Sequence, residues 1–123
     1  MATEPRNVLG GPLQACCTDP MTGYFRDGFC RTDHRDQGSH TVCAVMTEEF
    51  LIYSLERGND LITPRHAWMF PGLGPGDQWC LCAARWQQAF LDGVAPKVIL
   101  ESCHERALEH CDLSDLIAYS HQV

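Results

Sequence analysis

Lysine is almost missing from this chain: Lys97 is the only one in 123 residues, and no basic run occurs anywhere. Nine basic side chains face sixteen acidic ones, for a net charge of −7. An acidic surface of this kind repels polyanions, which argues against nucleic acid or an anionic membrane as a partner. No apolar stretch approaches the roughly 20 residues needed to span a bilayer, because a charge, Pro or Gly interrupts each one. The opening Met1-Ala2-Thr3-Glu4-Pro5-Arg6 has no basic segment followed by an apolar run. The expectation is therefore a soluble, cytoplasmic protein with reduced thiols, in which disulfides are not the first reading. There is no G-x-S-x-G elbow, no H-E-x-x-H helix and no G-x-x-x-x-G-K-[ST] loop, so serine hydrolase, zincin and P-loop chemistries lack their defining residues. His104-Glu105 supplies half of the zincin pattern, with Leu108 where the second histidine would stand.

What the chain does have is cysteine: eight residues, at 16, 17, 30, 43, 80, 82, 103 and 111, in no standard framework. Structural zinc sites pair their ligands as C-x₂₋₄-C, and no such pair is present. A buried free cysteine packs as a small apolar residue, and Val42-Cys43-Ala44 and Leu81-Cys82-Ala83 read as sheet core. The expectation is that most of the sulfurs fill the interior. The scarcity of lysine beside abundant acid fits either a GC-rich genome or a halophile's salty cytoplasm; in the second case stability rises with added KCl.

The length suits one domain, expected over residues 7–123 behind a flexible tail at 1–6, and large enough to bury roughly two-thirds of its unfolded surface. Residues 7–38 are rich in Gly, Pro, Asp and Thr and read as ordered loop, with at best a small hairpin at Gly23–Cys30. A β-branched strand near 40–46 runs into a helix capped by Thr47, with Glu48 and Glu49 complementing its dipole and Phe50, Leu51, Tyr53 and Leu55 on its buried side. Gly58-Asn59 stops that helix. The Pro- and Gly-punctuated stretch 63–77 is a long loop. A second strand near 79–84 leads into a helix carrying Ala83, Trp86 and Phe90 inward, and a third strand is expected at 97–101 with its sense left open. Ser102 opens a short helix with His104, Ala107, Leu108 and Cys111 inward, and Asp112 with Asp115 opens a last one with Leu113, Leu116 and Ile117 as its apolar face. The fold class is α/β or α+β: a small sheet of about three or four strands with helices packed on it and long ordered loops.

Several residues carry chemistry. Cys80 and Cys82 project from one strand face with Cα atoms roughly 6.5 to 7 Å apart, able to offer two thiols to one metal or substrate. Cys43 and His104 would complete a Cys₃His set for zinc, although no metal or cofactor is assigned and packing is the favoured reading. Cys82 sits just ahead of a helix start, so Cys82 with His104 forms a nucleophile and base pair, against the alternative of a core thiol and a hydrogen-bonded imidazole. In the polar loop 31–40, Arg31 and Arg35 suit a carboxylate or phosphate, with His40 and Arg85 as further ligand-binding candidates; solvated, mutually neutralising charges are the alternative. Loops 31–40 and 63–78 are expected together at one edge of the sheet, forming the pocket. Trp68, Met69 and Phe70 would form an exposed patch in an interaction module without chemistry, and self-association fits the same patch.

The motifs Asn7-Val8-Leu9-Gly10, Gly38-Ser39-His40-Thr41-Val42-Cys43-Ala44, Gly58-Asn59-Asp60-Leu61, Phe70-Pro71-Gly72-Leu73, Pro75-Gly76-Asp77 with Trp79-Cys80-Leu81-Cys82-Ala83, and His104-Glu105-Arg106-Ala107-Leu108 cover nearly everything from Asn7 to Tyr119. On these the chain resembles a family of small bacterial proteins catalogued as domain of unknown function twenty-two thirty-seven. That resemblance brings no activity, substrate or cofactor. Cys17, Cys103 and Cys111 fall outside the motifs and are set aside as site candidates. The leading expectation is a domain that binds a small molecule or anion in a loop-lined pocket. The rivals are a thiol- or metal-dependent enzyme centred on Cys80, Cys82 and His104, and the interaction module.

Overall fold

Residues 5–18, 21–36, 38–68 and 70–121 are described by the computed structural model, with the backbone alone at Trp68. The chain folds as a small α+β domain around an antiparallel sheet, in the order β2-β1-β3. The central strand β1 (His40–Val45) is apolar and β-branched, and its middle four residues are buried. It pairs with β2 (Gln78–Cys82) along its length and with the two-residue β3 (Lys97–Val98) at its far end. Both pairings are antiparallel, which settles the sense that the short connections left open. The third strand is shorter than expected because the backbone turns into a 3₁₀ segment at Leu100–Ser102.

Helix α1 (Glu48–Glu56) starts as its sequence predicts: the Thr47 hydroxyl accepts the Phe50 N–H at 3.1 Å. Phe50, Leu51 and Ser54 are buried, whereas Leu55, expected inside, is exposed. Gly58 closes the helix with φ +85°, a conformation open to glycine without a Cβ penalty. Helix α2 (Ala83–Leu91) follows β2 with no intervening loop, and it buries Ala83, Trp86 and Ala89 against β1 and β2. Trp86 is fully buried and its indole N–H donates to the Pro96 carbonyl at 3.1 Å, so its polar edge is satisfied inside the core. The last helix α3 (Leu113–Ala118) buries Leu116; Asp112 stands at its N-cap without making a side-chain cap bond, and Ile117 is half exposed.

The segment expected as a helix after Ser102 is instead a 3₁₀ turn at Glu105–Glu109. With about three residues per turn rather than 3.6, His104 and Ala107 remain on the inner side while Leu108 rotates out to solvent. His104 is the capping residue of that turn: its Nδ1 accepts the Arg106 N–H at 3.0 Å.

Among the described residues, none before His40 belongs to a named strand. Pro5 and Arg6, expected in the tail, accept backbone hydrogen bonds from Leu13 and Glu105, and Val8 donates to Cys103. Asn7 is buried, and its side-chain amide bonds Pro12, Glu101, Leu9 and Gly11, which closes the loop over the 101–105 segment.

The largest departure from expectation concerns sulfur. Cys16 is joined to Cys43, and Cys30 to Cys80, by disulfides. Cys43 and Cys80 are register partners on β1 and β2, so both side chains leave one face of the sheet, and the N-terminal loop crosses that face carrying Cys16 and Cys30. The expectation of sulfurs as uncrosslinked filler therefore fails at four positions. Cys17, Cys82, Cys103 and Cys111 are free thiols.

Candidate functional site

The site grows from an irregularity in the β1–β2 ladder. Val42 pairs with Leu81, but the next step along β2 pairs Cys82 with His40, so β1 carries an extra residue, Thr41, at this point. Such a bulge re-aims the side chain beside it. Here it sets His40 opposite Cys82, where a regular register would have set Thr41.

The loop before the bulge is held in an uncommon shape. Ser39 adopts φ +50°, a left-handed conformation that non-glycine residues rarely take. Its carbonyl accepts three donors: the N–H and hydroxyl of Thr41 at 2.8 and 3.1 Å, and the N–H of Ala83 at 3.0 Å. One backbone oxygen thus fastens the bulge to the first residue of α2. Backbone strain sustained by its surroundings is a feature of functional sites.

Asp36, buried in the same loop, aligns the histidine. Its Oδ1 lies 2.7 Å from His40 Nδ1, and its Oδ2 accepts the His40 N–H and the Thr32 hydroxyl, each at 2.9 Å. With Nδ1 committed to the carboxylate, Nε2 is the imidazole nitrogen left for other chemistry. A carbon placed on Cα of Gly38 would lie 3.0 Å from His40 Cε1 and 3.5 Å from Cys82 Sγ. The ring and the sulfur therefore converge on the space that a glycine leaves open, no further apart than those two distances laid end to end.

Cys82 is half buried and is the N-cap residue of α2, where no side chain caps the helix. A negative charge formed on its sulfur would face the positive end of a nine-residue helix. A groove of about 240 Å³ opens in front of it, lined by Gly38, His40, Asn59, Leu61, Leu81 and Arg85, with Trp79 along its wall. Across His40, Leu61 and Trp79 it continues into a second hollow of about 210 Å³ that reaches Tyr24, Arg26 and Phe70. Arg26 stacks over the Trp79 ring at 5.6 Å, and Phe70 meets the same indole edge-on with ring centroids 5.2 Å apart.

The remaining sequence candidates fall elsewhere. His104 donates its backbone N–H to the Thr41 carbonyl on the β3 side of β1, whereas Cys82 lies on the β2 side, so the central strand separates the expected nucleophile and base. Burial holds the His104 imidazole below its ordinary range, as expected of a neutral, hydrogen-bonded ring. Arg31 is paired with Asp27, and Arg35 with Asp33 at 2.6 Å, so the loop charges neutralise one another and neither guanidinium lines the groove. Arg85 does line it, and its Nη1 reaches the Arg57 carbonyl at 3.4 Å. The Cys43, Cys80, Cys82, His104 zinc set is not assembled, because Cys43 and Cys80 are crosslinked to the N-terminal loop and His104 is turned to its own backbone. Of the expected aromatic patch, Phe70 is buried; Met69 and the Trp68 side chain lie outside the described residues. Asp36 was missed in the sequence, where its spacing of four from His40 gave a signal visible only once the intervening turn was known.

The fold and this constellation define a small α+β domain with a thiol at a strand-to-helix junction beside a carboxylate-oriented histidine. The chain belongs to the bacterial family DUF2237, described as an uncharacterized protein conserved in bacteria, whose model matches residues 6–120. No curated protein matches it. Among the described residues no helix is long and apolar enough to cross a membrane.

Proposed function

We propose that this domain binds a small molecule in the groove beside α2 and attacks it with Cys82, His40 serving as base and Asp36 orienting the imidazole. The reading rests on one observation: the β1 bulge sets His40 opposite Cys82 while Asp36 occupies Nδ1. This is the division of labour of a nucleophile, base and orienting acid. In the step itself the Cys82 thiol gives its proton to His40 Nε2, and the sulfur forms a bond to an electrophilic acyl carbon. The bond from that carbon to its leaving group breaks, and the imidazolium returns the proton to the departing atom. Water then hydrolyses the thioester and frees the thiol. Arg85 and the uncapped start of α2 favour a substrate with an anionic group, and Trp79 with Leu61 gives an apolar wall for its body.

An activated nitrophenyl ester tests the reaction. The native chain is expected to release a burst of one equivalent of nitrophenol and to gain one acyl group, located on Cys82 by peptide mass mapping, while Cys82→Ser gives neither. Acylation at Cys17, or no burst in the folded protein, defeats the proposal.

A further inference from the structure

A second cluster of sulfur lies apart from the groove thiol. The Sγ atoms of Cys16, Cys30 and Cys80 all lie within 4.8 Å of one another, and Cys43 is bonded to Cys16. Three sulfurs thus converge in the core, two from the N-terminal loop and one from β2, and the fourth, on β1, is bonded to one of them. All four residues are buried, the most open of them, Cys16, at 5% exposure.

Tetrahedral coordination at a metal–sulfur distance of about 2.3 Å places neighbouring sulfurs about 3.8 Å apart. Cys16, Cys30 and Cys80 keep their sulfurs within 4.8 Å of one another, and the Cα atoms of the two bonded pairs are 5.7 and 5.3 Å apart, so reduction of both bridges would leave four thiols on a scaffold that already gathers them. Four buried thiolates leave no place for water, which is the character of a closed structural site rather than an open catalytic one. All-sulfur donors select a soft or borderline ion of the zinc type and exclude magnesium and calcium, which require oxygen.

We propose that the reduced protein holds one zinc-type divalent cation at Cys16, Cys30, Cys43 and Cys80, so that the paired disulfides and a metal tetrathiolate are alternative states of one cluster. Going from the first state to the second, a thiol or dithiol reductant delivers four electrons and four protons, cleaving two S–S bonds to four thiols. The cation then binds four sulfurs and displaces four protons. The reverse step releases the ion and passes four electrons to two molecules of a low-molecular-weight disulfide. In both states the N-terminal loop is tied to β1 and β2; only the reduced, metal-free protein lacks the tie.

The test uses the full chain, reduced with a phosphine under anaerobic conditions and titrated with cobalt(II), then zinc(II). One cobalt per chain should bind with the intense visible bands of a tetrahedral thiolate, zinc should displace it, and zinc should raise the melting midpoint of the reduced protein. Cys16→Ser and Cys30→Ser should abolish the tetrathiolate spectrum, whereas Cys17→Ser and Cys82→Ser leave it intact. X-ray absorption of the zinc-loaded wild type needs no variant and should show four sulfurs at about 2.3 Å. A featureless cobalt titration, nitrogen or oxygen in the zinc shell, or a spectrum that depends on Cys82 would overturn the proposal.

Discussion

Replacing both Cys16 and Cys43 by alanine removes the bridge between the N-terminal loop and the central strand without leaving one thiol unpaired. The bridge closes a loop with a sequence separation of 27 residues. On the chain-entropy model, releasing a loop of that size costs about 3.5 kcal/mol at 25 °C, and the same reasoning gives about 4 kcal/mol for the Cys30–Cys80 bridge with its separation of 50. Domains of ordinary stability hold roughly 5–15 kcal/mol in all, so either loss is a large fraction. With a urea dependence of about 2 kcal/mol per molar, the first variant should unfold at a concentration lower by roughly 1.7 M, with a slope no shallower than that of the wild type because the uncrosslinked unfolded chain exposes more surface. Urea unfolding followed by far-UV circular dichroism, with a chelator present, measures the shift. The two losses should not sum, because the loops overlap between residues 30 and 43. An unchanged midpoint on reducing the wild type, or eight titratable thiols instead of four in protein unfolded without reductant, would refute the reasoning.

Other outcomes follow from the same geometry. Burial pushes the Cys103 and Cys111 thiols up to about 12, so in the native chain at neutral pH alkylating agents should reach Cys17 and Cys82 and leave these two unmodified; mass mapping of the labelled protein decides it. His104 is held below its ordinary value of 6.5, chiefly by burial, so the unfolded chain takes up its proton first. The stability conferred by the neutral ring is therefore full above that value and declines as the pH falls below it toward the lower folded value. His104→Gln should flatten this part of the urea-midpoint profile, and an unaltered profile would contradict the assignment. If the acidic surface reflects adaptation to salt, the melting temperature should rise with KCl, and midpoints that stay flat or fall would count against it.

The element sequence was legible wherever local chemistry decides structure. Thr47 caps α1 because its hydroxyl satisfies a helix donor, and Gly58 ends it because the backbone turns left-handed there. Leu108 pointed the wrong way because α and 3₁₀ turns differ by only about half a residue per turn, and the choice between them lies with the Arg6 and Thr41 carbonyls that hold residues 104 and 105. The disulfides were hidden for a different reason. Their pairing depends on the register of β1 with β2 and on the path of an irregular loop, neither of which has a sequence period. The candidate site was half legible: Cys82 at a helix start and His40 in a polar loop were each visible. Their union depends on one extra residue in a strand, and a register change of one residue exchanges which side chain faces the groove.

Competitive alkylation of the native chain with iodoacetamide at neutral pH, read residue by residue with Cys17 as internal reference, bears most directly on the Cys82, His40 and Asp36 assembly. Cys82 should react faster than Cys17 in the wild type, and both His40→Asn and Asp36→Asn should slow it by at least about tenfold while leaving the Cys17 rate unchanged. Equal Cys82 rates in all three proteins would contradict the account.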